Sequence, residues 1–183
     1  EKMTYMRKSF SQFILILIVS NFAVANVTVS VGDVQVDGYT NDIVVPITLS
    51  NPENWVGGLQ FDIIAMPTIV TLAGATPVDQ SSFSADYTVF NDGSGRVVFY
   101  NSVGGAIAPG DNDVVLNLHY DGSEILSAIV QLEAYDLSVS NGDGDLINNI
   151  LINGSITVGD ETYLSASSDT GDVSEQVSID INL

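Results

Sequence analysis

Residues 55 to 64 read Trp55-Val56-Gly57-Gly58-Leu59-Gln60-Phe61-Asp62-Ile63-Ile64, and the fold is decided there. Leu59, Phe61 and Ile63 fall on one side of an extended chain and Gly58, Gln60 and Asp62 on the other, the two-residue period of a half-buried strand. The rest of the chain after residue 26 is patterned to pack against the apolar side. The opposite side is flat and polar, a surface that suits another protein better than a small substrate.

Working outward, the same texture repeats. Upstream lie VTVSV, VQV and IVVPITL; downstream lie TIVTLAG, YTVF, RVVFY, VVLNLHY, AIVQLEAYDLSV and ILINGSITVG. Val, Ile, Thr and Tyr dominate these runs, and Asn, Asp, Gly and Ser dominate the breaks between them. About nine or ten closely spaced strands predict an all-β sandwich or barrel. No sustained 3.6-residue apolar pattern competes with that reading. Pro46 inside IVVPITL predicts an edge position or a bulge, and Asn91-Asp92-Gly93-Ser94-Gly95 predicts a hairpin turn.

Composition bounds the function. A chain of 183 residues, 45% hydrophobic, has material for one domain with a normal core. Without cysteine it has neither disulfides nor thiolate chemistry. Four basic residues stand against twenty-three acidic ones, a formal charge of -19, and a surface of that sign repels nucleic acid and anionic lipid. Residues 6 to 25 have the layout of a secretory signal: Arg7 and Lys8, the apolar run Phe13 to Val19, and Ala23-Val24-Ala25 as cleavage site. That run is too short to anchor the chain stably in a membrane. The expected organisation is therefore a signal peptide with a short upstream extension over 1–25, including its helix, and a β-sandwich over 26–159. Residues 160–183 come next as an acidic Ser/Asp-rich linker entering a truncated further module, and the mature protein is expected to be secreted, outside the cell or at its surface.

Three segments together resemble a cohesin domain. WVGGLQFDII is similar to that family's Gly-x-Gln-Phe core strand, GRVVFYNSVGGAIAPGDNDVVLNLHY to its strand, Gly-rich crossing and next strand, and LINNILINGSITVG to its closing turn and last strand. The family's usual Tyr-Asp-Pro turn after the core strand is replaced by Ala65-Met66-Pro67. The resemblance implies a jelly-roll sandwich of about nine strands, without catalytic activity, that binds a dockerin-type protein module through one sheet face in an extracellular, polysaccharide-related assembly such as a cellulosome. Carried over by position, the partner-binding residues are Gly58, Gln60 and Asp62 on the core strand, with Tyr87, Arg96 and Tyr100 on the neighbouring hairpin. Gly171-Asp172-Val173 and Ser178 to Asn182 resemble the start of a degenerate dockerin calcium loop. Two other functions share the architecture: a carbohydrate-binding module, and a structural repeat of a surface, adhesin or filament protein.

The residues offer little else. Asn141-Gly142-Asp143-Gly144-Asp145 places oxygen ligands at alternating positions, so Asp143 and Asp145 are the metal candidates and calcium the ion; Leu146 and Ile152 break the loop pattern, which favours a plain polar turn. His119 is the single histidine and alternates with apolar neighbours, which reads as a strand-face residue rather than a base, and nucleophilic catalysis has little to stand on. No Gly-x-Ser-x-Gly elbow is present, and Asp62, Glu133 and Asp136 are the carboxylates a glycosidase reading would need. One tryptophan, Trp55, is little for a sugar platform.

Overall fold

The computed structural model describes residues 26–78, 82–110 and 113–159. The expected signal segment and acidic tail lie outside them. Twelve strands are formed among the described residues: β1 (Val27–Val31), β2 (Asp33–Val36), β3 (Ile43–Ser50), β4 (Gly58–Met66), β5 (Thr71–Pro77) and β6 (Phe83–Val89). The remainder are β7 (Gly95–Asn101), β8 (Asp113–Asp121), β9 (Ala128–Ser140), β10 (Leu146–Ile147), β11 (Asn149–Ile152) and β12 (Gly154–Val158). They make two sheets, one ordered β11-β1-β3-β8-β5 and the other β2-β12-β9-β4-β7-β6 with β10 beside β9.

Alternation in the sequence becomes burial in the sandwich. Leu59, Phe61 and Ile63 of β4 meet a core built from both sheets, among them Val45 and Ile47 of β3, Leu116 and Leu118 of β8, Val97 and Phe99 of β7 and Leu132 of β9. Each large aliphatic or aromatic side chain buried this way contributes roughly 1.5–3 kcal/mol. Phe83 and Phe99 stack with ring centres 4.7 Å apart, tying edge strand β6 into the core.

The count of twelve against about nine or ten has a local cause. The run ILINGSITVG is broken at Asn153, which separates β11 from β12, and Leu146–Ile147 adds the two-residue β10. Strand β5 also starts later than TIVTLAG suggests, because residues 67–70 form the turn after β4. Pro46 lies on an interior strand, between β1 and β8. Its carbonyl accepts the Gly32 N–H at 2.9 Å, one residue past the end of β1. A residue's N and O point the same way in an antiparallel ladder, so the missing Pro46 N–H faces the place where β1 stops, a local edge. The neighbouring register shift between Ile47 and Thr48 supplies the bulge as well.

The first and last strands move together. β1 runs parallel to β11 and β2 parallel to β12, in one register that pairs Val27 with Asn149 and Val36 with Val158. Both segments pass from one sheet to the other at the same corner. A Cβ on Gly154 would collide there with the carbonyl oxygens of Val31 and Gly32, so glycine is what lets the two backbones cross.

Candidate functional site

The outer face of β4 and its neighbours is laid out in rungs. Ser84, Tyr100, Gly58 and Ser140 form one; Asp86, Val98, Gln60 and Ser138 the next; Thr88, Arg96, Asp62 and Tyr135 the third. Five of the six residues singled out from sequence, Gly58, Gln60, Asp62, Arg96 and Tyr100, thus share one face within three adjacent rungs. Tyr87 does not join them. Its cross-strand partner is Val97, a core residue with no exposed surface, so Tyr87 sits on the inward side of edge strand β6. There its hydroxyl donates to the Ala73 carbonyl of β5 and closes the gap between the two sheet edges.

Asp62 faces outward but is covered. It is only 6% exposed, and Arg96 grips it bidentately, Nε to Oδ1 at 2.7 Å and Nη2 to Oδ2 at 2.8 Å. The carboxylate holds the Arg96 guanidinium above its ordinary value, first through these hydrogen bonds and then through charge attraction. The guanidinium carbon also lies 5.8 Å from the centre of the Phe90 ring. Arg96, and not Asp62, is therefore what this face presents to solvent. Among the described residues Arg96 is the one Arg or Lys. Sequence parity places both residues on this face; it holds no sign that each is the other's ligand.

A bulge in β9 shapes the same region. Gln60 pairs with Ser138 while Asp62 pairs with Tyr135, so β9 carries an extra residue, and Asp136 beside it has φ 52°. Aspartate is among the side chains that tolerate this left-handed backbone. Beside Arg96 the bulge brings Tyr135, which is 40% exposed. At the other end of the face Tyr100 donates its hydroxyl to Asp86 Oδ2 at 3.0 Å, and that bond is the main reason its ionisation is pushed upward. Next to Tyr100 on the same rung Gly58 has no side chain, which leaves a shallow depression bordered by Gln60, Tyr100, Ser138, Ser140 and Leu146. Leu146, 80% exposed, is a site residue that sequence reasoning misses, although an apolar residue directly after an Asn-Gly turn is a visible signal.

The turn expected to be the calcium candidate is closed by its own side chain. Asn141 Oδ1 accepts the N–H of Asp143 at 3.0 Å and of Asp145 at 2.8 Å, and the Asn141 N–H donates to the Asp145 carbonyl. Among the described residues no three His, Cys, Asp or Glu side chains are gathered as metal ligands. The carboxylates of the glycosidase reading are arranged no better, since Asp62 is tied up by Arg96. Trp55 lies outside β4, exposed in the loop before it.

No protein-family model and no curated protein matches the sequence. Solved structures do. A non-cellulosomal cohesin from the hyperthermophilic archaeon Archaeoglobus fulgidus is 19% identical, with TM-score 0.59, over 75% of this chain and 94% of its own. CaCohA2 from Clostridium acetobutylicum is 22% identical, with TM-score 0.55, over 73% and 91%. The sixth cohesin of Acetivibrio cellulolyticus scaffoldin B, solved in complex with a Cel5 dockerin, is 15% identical, with TM-score 0.61, over 73% and 99%. Identities this low speak to architecture alone, and on that ground the two-sheet sandwich built around Gly58–Met66 has the cohesin fold.

Proposed function

We propose that this chain is a docking module that binds a dockerin-type protein, with no catalysis at that face, through the outer face of β9, β4, β7 and β6. The observation that carries the reading is the gathering of Gly58, Gln60, Arg96 and Tyr100 on adjacent rungs of one solvent-facing sheet. It is supported by the fold, since several solved cohesins with this architecture are complexes with dockerins. In this reading residues 1–25 direct export, 26–159 form the docking module and 160–183 act as a linker toward a further module. The assembly it serves is extracellular and concerned with polysaccharides.

The test is a calorimetric titration of the protein with a panel of calcium-loaded dockerins. Saturable binding is expected, weakened at least about 100-fold by Gln60→Arg, which places a bulky charge at the centre of the face. Ile150→Arg on the opposite sheet is expected to leave it unchanged. Asp62 is a poor probe, because altering it disturbs Arg96 and the fold together. A folded protein that binds none of the panel would sink the proposal and turn attention to sugars, beginning with Trp55 fluorescence on adding cellulose or chitin.

A further inference from the structure

On the outer face of the other sheet, three side chains form a hydrogen-bonded line. Asp42, just before β3, lies with Oδ1 2.8 Å from His119 Nδ1 on β8. His119 Nε2 lies 2.8 Å from Thr76 Oγ1 on edge strand β5. The proton positions are set by what each group can do. A carboxylate only accepts, so Nδ1 carries the hydrogen; in the neutral ring Nε2 is then the acceptor, and the Thr76 hydroxyl donates to it. A hydroxyl held against the free lone pair of an imidazole that a carboxylate has oriented is a hydroxyl with its general base in place.

Two further details fit the same chemistry. Gly74 is paired with His119, and a Cβ there would lie 3.3 Å from His119 Cβ and 3.5 Å from its Cδ2. The bare backbone at Gly74 thus leaves the ring room to lie across toward Thr76. Asn117 is the direct cross-strand partner of Thr76 and projects from the same face. Directly paired side chains start about 4.5–5.5 Å apart at Cβ. Asn117 thus carries an amide on the same face next to Thr76, the kind of donor that stabilises an oxyanion. Thr76 itself is exposed and stands at a sheet edge, open to a reagent from solvent.

We propose that Thr76 is an acyl-accepting nucleophile toward small activated carboxylic esters, with His119 as its base and Asp42 as the positioning residue. Thr76 Oγ bonds to the ester carbonyl carbon while its proton passes to His119 Nε2. The tetrahedral intermediate expels the alkoxide or aryl oxide, which takes that proton from Nε2. Thr76 is left acylated; water deprotonated by the same nitrogen then releases the carboxylic acid and restores the hydroxyl. The site is on the sheet opposite the docking face and stands or falls independently of it.

The experiment treats the full chain with p-nitrophenyl acetate, monitors nitrophenol release and maps acetylated peptides by mass. Thr76 is expected to be acetylated at least about 10-fold faster than any other Ser or Thr, a preference read in the unaltered protein. His119→Gln should cut Thr76 acetylation about 100-fold, the lower end of what a positioned base supplies. His119→Ala should regain part of the rate with added imidazole, which a purely structural histidine would not show. Thr76→Ser should stay reactive, and Asp42→Glu should retain more rate than Asp42→Ala. Acetyl groups scattered over the hydroxyls, or Thr76 labelled equally fast in a folded His119→Gln protein, would overturn the proposal.

Discussion

Replacing Tyr120 by phenylalanine should make this protein more stable, and the reason is a single oxygen. Tyr120 projects from β8 into the core, opposite Ile43 and Leu72, and is 2% exposed. Among the described residues its hydroxyl has no hydrogen-bond partner. A buried hydroxyl left without a partner costs about 1–3 kcal/mol, while removing it keeps the ring and its packing. Tyr120→Phe is therefore expected to gain about 1–2 kcal/mol in urea unfolding, or roughly 4–8 °C in midpoint for a domain of this size. A second readout comes from alkaline pH. Burial pushes the phenol ionisation far above the ordinary tyrosine value. Above about pH 10 the unfolded chain gives up this proton and the folded protein does not, so the wild type loses about 1.4 kcal/mol per pH unit through this group. Below that pH the group makes no difference to the slope. The Phe variant should show a shallower alkaline decline. A variant less stable than wild type, with the same alkaline limb, would refute the argument and mean that the hydroxyl is satisfied in solution.

Five other substitutions probe the framework. Gly57→Ala should destabilise by roughly 1–3 kcal/mol in urea unfolding, because a Cβ there runs into the backbone of Asn141 and Gly142. Phe99→Ala should cost about 3–5 kcal/mol by the same assay, and Phe83→Ala less, since Phe83 stacks on Phe99 from an edge strand and retains 8% exposure. In a double-mutant cycle, Arg96→Leu should lower the urea midpoint more than Asp62→Leu, because the first leaves a covered carboxylate unpaired and the second leaves a cation that reaches water. The double replacement should recover most of the loss; equal effects of the two single changes would contradict the described burial.

Much of the fold is legible because strands advertise themselves by parity. Alternation alone assigns Leu59, Phe61 and Ile63 to the core and Gln60 to the outer face, and the residues of the Asn91 to Gly95 segment specify its turn. The turn is built as its composition suggests, with Asp92 Oδ1 accepting from both the N–H and the hydroxyl of Ser94. Parity fails where one strand must be set against another. Position along the hairpin groups Tyr87 with Tyr100, yet the register pairs it with Val97 and turns it inward. The Arg96 and Asp62 pairing needs the register between β4 and β7, and the Asp42, His119 and Thr76 line joins residues 77 and 43 positions apart. No local pattern records a contact of that range. Pro46 escapes its expected margin for a related reason: the rule that sends proline to an edge concerns one N–H, and here the edge is the end of β1, not the margin of the sheet.

The paired passage of β1–β2 and β11–β12 across the sandwich has a mechanical meaning. The two segments run the same way, so the beginning of one at Val27 and the end of the other at Val158 lie at opposite ends of the ribbon they form. Tension applied through those two points pulls along the strands, and the hydrogen bonds lie across the pull. They are loaded in shear, many at once, and cannot be peeled one after another from a free end. A domain strung between an anchor and a load in this way yields only when the whole ribbon slips.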